Sequence, residues 1–108
     1  MKFLCVCQGG NVRSSALAFI LKWKHKQDAI PVGCEQNSRE VRDILGDWAD
    51  YIILMQDWDK SLIVPQRCYN KVRVVDVGPD RYGYNMHPDL IGFLSGVVDE
   101  WKIRDYKI

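Results

Sequence analysis

A cysteine, an arginine and a serine stand close together near the amino terminus, in the run FLCVCQGGNVRSSALAF at residues 3–19. Cys7 is a nucleophile wherever its thiolate is stabilised. Arg13 carries a planar fork that grips two oxygens of a tetrahedral anion at once, which lysine does less well. Ser14 adds a hydroxyl able to donate a hydrogen bond to a thiolate. Between them lie Gln8, Gly9, Gly10, Asn11 and Val12, and the two glycines suit a tight loop whose N–H groups turn inward. A ring of such donors at the start of a helix binds a phosphate-like anion. The same field lowers a cysteine thiol below its free value of about 8.5. The spacing therefore reads as a nucleophile at one end of an anion cradle, residues 8–14, with a cationic clamp at the other. The plain alternative is a tight connection with an inert, buried cysteine. The Cys-x5-Arg-Ser set, placed between an apolar strand and a helix, favours chemistry.

Those residues need elements to hold them. KFLCVC is a short apolar run, expected as a buried strand. SSALAFILKWKHK has Ala16, Leu17, Phe19, Ile20, Leu21 and Trp23 at helical spacing, ending in a solvated basic cluster at Lys22, Lys24, His25 and Lys26. AIPVGCE is a weaker strand, and Pro31 suits an edge position. NSREVRDILGDWA is expected as a helix opened by Asn37 and Glu40, with Val41, Ile44, Leu45 and Trp48 as its apolar stripe. DYIILM is a third strand, DWDKSLIV a short helix stopped by Pro65, and KVRVVDV a fourth strand. GPDRYGYNM is a loop. The last helix starts at Pro88, with Leu90, Ile91, Leu94, Val97, Val98 and Trp101 facing the core. Alternating strands and helices predict a parallel sheet of four strands with helices on both faces. Ligands of such sheets bind beyond the carboxyl ends of the strands. That places residues 7–14, 55–59 and 76–87 around one cleft.

Bulk properties agree. A chain of 108 residues is expected to form a single domain, 1–108. Hydrophobic residues make up 47% and there are four tryptophans, which excludes a disordered chain. A net charge of +1 with no block of like charge gives no footprint for nucleic acid. No run approaches the ~18 apolar residues of a membrane span. The apolar start breaks too early for a signal peptide, so a cytoplasmic location is expected. Cys5 and Cys7 flank a single residue, which matches no usual zinc spacing, and neither of the two histidines lies near a cysteine pair. No metal and no cofactor are expected. Cys5, Cys34 and Cys68 read as packing residues with reduced thiols.

CQGGNVRS resembles the Cys-x5-Arg-Ser signature of the low-molecular-weight protein tyrosine phosphatases. ADYIILM looks like the third strand of that family, and VVDVGPDRYGYNMHPDLIGFL is similar to the end segment of its compact bacterial branch. The resemblance spans most of the chain and is sharpest in the first loop. It implies a sheet in the order 2-1-3-4, no metal or cofactor, and hydrolysis of phosphotyrosine or a small aryl phosphate through a phosphocysteine. Cys7 corresponds to the nucleophile. Arg13 and the N–H groups of residues 8–13 would hold the equatorial oxygens, and Ser14 would favour the thiolate. The family places its general acid in an Asp-Pro-aromatic loop. Here the order is Pro79-Asp80-Arg81-Tyr82, so Asp80 is the expected acid, with Asp76 next and Asp89 third. Trp58, Tyr82 and Tyr84 are the candidate walls of a substrate slot. The loop departs from the family at three places: Asn11 is displaced by one position, Val12 replaces a cysteine, and Ser15 replaces a proline.

Two other functions stay open. A scaffold with an altered acid loop could bind phosphotyrosine or phosphate without turning it over. Arsenate reduction on the same scaffold normally needs further cysteines, and none follows Cys68. The expected partner is a phosphotyrosine protein or a small aryl phosphate, met by a monomer, with no nucleic acid and no membrane involved.

Overall fold

The structure, a computed structural model, describes residues 1–9, 11–79 and 81–101. At its centre lies β1 (Lys2–Cys7), buried from Phe3 to Cys7. Both faces of this strand are covered, which is why it reads as an unbroken apolar run. β2 (Asp28–Gly33) pairs with it in parallel on one side, and β3 (Tyr51–Leu54) on the other. β4 (Val72–Val74) pairs in parallel with β3, giving a four-stranded sheet in the order β2-β1-β3-β4. This is the expected fold class, and Pro31 lies on an edge strand as anticipated.

The period of two along β1 sorts its side chains between two cores. Phe3, Cys5 and Cys7 join Ala16, Leu17, Leu21, Leu90, Leu94 and Val98 on one face. There α1 (Arg13–Phe19) and the last helix cover the sheet. Leu4 and Val6 join Ile52, Leu54, Ile63, Val64 and Cys68 on the other, beneath α2 (Arg39–Trp48). The last helix, α3 (Pro88–Glu100), has proline in its first turn, and Leu90, Leu94 and Val98 are its buried stripe.

Several local expectations need correction. α1 widens into a π turn over Ile20–Lys24. The added residue per turn breaks the 3.6-residue stripe, and Phe19 and Trp23 are 39% and 66% exposed. Ser38, not Asn37, caps α2: its hydroxyl accepts from Val41 N at 3.4 Å, while Asn37 Oδ1 accepts from Gly33 N at 2.8 Å. The buried face of α2 is also rotated. Arg42, Gly46 and Ala49 are buried, whereas Ile44 is 68% exposed. The cause is the Arg42 guanidinium, which turns inward to donate to the carbonyls of Cys34, Asn37, Leu62 and Ile63. The expected short helix contracts to a 3-10 turn at Lys60–Leu62, capped by Asp59, and a second 3-10 turn at Gln66–Lys71 follows Pro65. Only three residues of KVRVVDV pair as strand.

Candidate active site

Backbone hydrogen bonds continue past the strand ends and draw several loops together. Cys34 N donates to Cys7 O at 2.9 Å and Glu35 N to Gln8 O at 3.0 Å. Met55 N donates to Val6 O at 2.9 Å, Val75 N to Leu54 O at 2.8 Å, and Val77 N to Met55 O at 3.1 Å. The segments after all four strands are thereby aligned at the carboxyl edge of the sheet, where ligands of such sheets bind.

Cys7 is the last residue of β1 and is 2% exposed. Its thiol donates to Ser14 Oγ at 3.1 Å, and Ser14 is itself fully buried. An ionised sulfur would use the same contact as an acceptor. Gln8 is exposed and its amide donates to Glu35 Oε1 at 2.6 Å, tying the loop to the segment after β2. Gly9 does not have the positive φ that favours glycine, and among the described residues a Cβ there would meet nothing within 4 Å. Its expected role as a steric necessity is thus not seen. Asn11 is exposed. Val12 is half-buried against the core, and its carbonyl accepts from Ala16 N at 2.9 Å to start α1. Gly10 and Asp80 lie outside the described residues.

Arg13 is 0% exposed, an unusual state for a guanidinium. Its Nη1 donates to Gln56 Oε1 at 2.6 Å and to the Gly78 carbonyl at 2.7 Å. Among the described residues, Nε and Nη2 have no hydrogen-bond partner. These are the two nitrogens of the side-on fork that matches an oxyanion. The clamp thus gathers the loops after β1, β3 and β4. Neither Gln56 nor Gly78 stood out in the sequence. Gln56 could have been suspected from its place just after the apolar run DYIILM.

The remaining candidates are placed as follows. Asp76 is exposed, and its carboxylate accepts from Gly78 N at 2.9 Å. Asp89 is exposed in the first turn of α3, whose cap is His87: Nδ1 accepts from Asp89 N at 3.2 Å. Both carboxylates line a pocket of about 190 Å³ with Val77, Arg81, Tyr82 and Phe93. Cys7, Arg13 and Ser14 are not part of its lining. Tyr82 is buried, with its ring edge-on to His87 and its hydroxyl donating to Val77 O at 3.4 Å. Trp58 is half-buried against both cores, and Tyr84 is 53% exposed.

The other thiols differ from Cys7 in setting. Burial, and to a smaller extent the neighbouring Cys7, pushes the Cys5 thiol well up from its ordinary value. Burial raises Cys34, opposed by Arg42, and it also raises Cys68, opposed by Lys71. Among the described residues, no group of three or more histidine, cysteine, aspartate or glutamate side chains is placed to hold a metal ion. No helix there is long and apolar enough to cross a membrane.

Compared by sequence, the chain matches no protein-family model and no curated protein. Compared by structure, it matches solved phosphatases over nearly their whole length. The tyrosine phosphatase Wzb from Escherichia coli K30, in complex with phosphate, superposes with a TM-score of 0.70 at 15% identity, over 95% of this chain and 96% of that one. The YwlE arginine phosphatase from Geobacillus stearothermophilus gives 0.69 at 18% identity, over 91% and 88%. A low-molecular-weight phosphotyrosine phosphatase from Vibrio cholerae O395 gives 0.63 at 18% identity, over 96% and 98%. The chain has the fold of the low-molecular-weight phosphatases, as its first loop and strand order had suggested.

Proposed function

We propose that this protein hydrolyses phosphotyrosine or aryl phosphate monoesters without a metal, through a phosphocysteine intermediate. The observation that carries this reading is Arg13: a buried guanidinium whose Nε and Nη2 have no hydrogen-bond partner among the described residues, six residues beyond a buried cysteine in contact with Ser14. Buried donors left unsatisfied are costly, and a phosphoryl group supplies the missing acceptors. The fold shared with known phosphatases supports the reading.

In the first step the Cys7 sulfur attacks phosphorus as the ester P–O bond breaks. The phenolate takes a proton from Asp80, which sits in the chain between Pro79 and Arg81; Asp76 is the runner-up for this role. In the second step the same carboxylate takes a proton from water, which attacks the phosphocysteine and releases inorganic phosphate and the thiolate. Arg13, aided by the N–H groups of residues 8–13, holds the oxygens on which charge accumulates, and Ser14 donates to the sulfur when it leaves. Trp58 and Tyr84 form the mouth that receives the aryl group. Tyr82 serves the site indirectly, through its edge-on contact with His87, the cap of α3.

The test is hydrolysis of a chromogenic aryl phosphate and of phosphotyrosine peptides by the protein and its variants. Cys7→Ser is expected to abolish turnover, and Arg13→Ala to lower kcat/KM by roughly 10²–10³-fold. Equal rates for wild type and Cys7→Ser would refute the mechanism. Asp80→Asn and Asp76→Asn, compared in turn, assign the acid by which one flattens the basic limb of the pH–rate profile. Since YwlE is an arginine phosphatase, phosphoarginine peptides belong in the same assay. A burst without turnover would indicate a stalled phosphocysteine, and tight phosphopeptide binding without an adduct would indicate a binding module.

A further inference from the structure

Arg13 is held in place by two neutral acceptors. Among the described residues it forms no ion pair, and both its acceptors are neutral: the Gln56 amide oxygen at 2.6 Å and the Gly78 carbonyl at 2.7 Å. Both contacts fall on the same nitrogen, Nη1, and use its two protons. What remains is the Nε–Nη2 edge, buried and without a hydrogen-bond partner among the described residues. A buried guanidinium is ordinarily paired with a carboxylate, because an uncompensated charge away from water is unfavourable. Gln56 occupies the position from which a carboxylate would neutralise it, and glutamine is the uncharged counterpart of glutamate in size and shape. The two contacts fix the plane of the fork, and among the described residues no carboxylate cancels its charge before a ligand binds.

We infer that Gln56 is a positioning residue for Arg13, and that its neutrality makes the site select doubly charged over singly charged tetrahedral oxyanions. The inference rests on the reading of residues 7–14 as an oxyanion cradle. Its physical basis is that attraction to an uncompensated cation grows with the charge on the ligand, and that screening is weak in a buried site. A carboxylate at residue 56 would keep the hydrogen bond and the geometry while cancelling most of that difference. Loss of the acceptor would instead free the guanidinium to rotate, weakening all anions alike.

The experiment measures inorganic phosphate binding by calorimetry in the Cys7→Ser background, where no sulfur charge opposes the ligand. Measurements lie on either side of the second ionisation of phosphate, with sulfate, a dianion throughout, as the reference. The unsubstituted Gln56 protein is expected to bind the phosphate dianion at least about tenfold more tightly than the monoanion. Gln56→Glu should bring that ratio close to one and weaken sulfate by a similar factor. Gln56→Met, which lacks the oxygen acceptor, should weaken both phosphate forms by a common factor of about ten and keep the ratio. Gln56→Asn keeps a neutral acceptor and should also keep the ratio, which preserves the test if the glutamate variant fails to fold. An unchanged ratio in Gln56→Glu, or a collapsed one in Gln56→Asn, overturns the inference. Failure of the Gln56 protein to bind either phosphate or sulfate overturns the cradle itself, and with it the proposed function. In the active enzyme, Gln56→Met should lower kcat more than it raises KM, whereas a purely structural role would leave kcat per folded molecule unchanged.

Discussion

Gly78 holds φ at +76°, in the left-handed region, and its carbonyl accepts from Arg13 while its N–H donates to Asp76. Among the described residues a side chain there would meet the Arg81 guanidinium, at 3.5 Å, an ordinary contact distance. The obstacle is the backbone angle, which costs an L-residue about 1–2 kcal/mol. Gly78→Ala is therefore expected to lose about that much stability, and to lower kcat/KM by tenfold or more as the carbonyl leaves Arg13. Gly9 is the counterexample. It sits in the proposed cradle, yet its φ is not positive and, among the described residues, a Cβ there would meet nothing within 4 Å. Gly9→Ala should leave both the urea midpoint and aryl phosphate turnover within a factor of two or so, since substitutions without a structural mechanism are usually near neutral. Measured side by side, the two alanines separate a conformational need for glycine from mere presence in the loop. A severe loss in Gly9→Ala would mean that the loop requires close backbone approach at that residue.

Among the elements, α2 is anchored by a charged residue on its buried face. Arg42, 8% exposed, ties the loop after β2 to the segment before Pro65 through carbonyls of Cys34, Asn37, Leu62 and Ile63. Arg42→Met fills similar volume but leaves those acceptors to water or to nothing. Denaturant unfolding should show a loss of about 2–3 kcal/mol, with the m-value unchanged if the native state stays compact. Because Cys34 N also donates to Cys7 O, the same variant should loosen the base of the cradle. The effect on activity should be smaller than that on stability, since Arg42 reaches none of Cys7, Arg13 or Ser14 directly. In α3 the argument runs the other way. Gly92 and Gly96 are exposed, and among the described residues a Cβ at either would meet nothing within 4 Å. Glycine in a helix interior costs up to about 1 kcal/mol relative to alanine, and no close packing offsets it here. Replacing both with alanine should raise Tm by several degrees without changing kcat; no rise would mean that α3 frays independently of its propensity.

For the molecule as a whole, what was legible followed from burial on two faces. The β1 run FLCVC could be read as a buried strand because nothing polar interrupts it, and the alternation of strand and helix implied the parallel sheet. The cysteine and arginine could be singled out because their spacing has a chemical meaning, and the structure places them at the end of β1 and the start of α1. The partners of Arg13 were not, since Gln56 and Gly78 lie 43 and 65 residues away in the chain and meet it only through tertiary packing. The rotation of the buried face of α2 was hidden for a related reason: its stripe of Val41, Ile44, Leu45 and Trp48 looked sufficient, and carbonyls outside the helix, two of them twenty or more residues away, make Arg42 the inward residue. The same two-sided burial sets how stability responds to alkali. Cys5, Cys34 and Cys68 have thiols raised above their ordinary value, burial being the largest cause for each. In the unfolded chain these thiols ionise near pH 8.5, whereas in the native state they stay neutral to higher pH. Above that value the unfolded state has released protons that the native state retains, so its free energy falls relative to the native one. The thiols' contribution is thus fully present below about pH 8.5, and it is lost as pH rises toward each folded value. Urea midpoints should be flat in this respect from neutral pH to about 8.5 and then decline. Cys5→Ala should start from a lower midpoint because of the cavity it leaves, but decline less steeply, having one fewer raised thiol. If its alkaline slope equals that of the parent protein, Cys5 ionises as readily inside the sheet as outside, and its burial against Phe3 and Leu17 does not control the thiol.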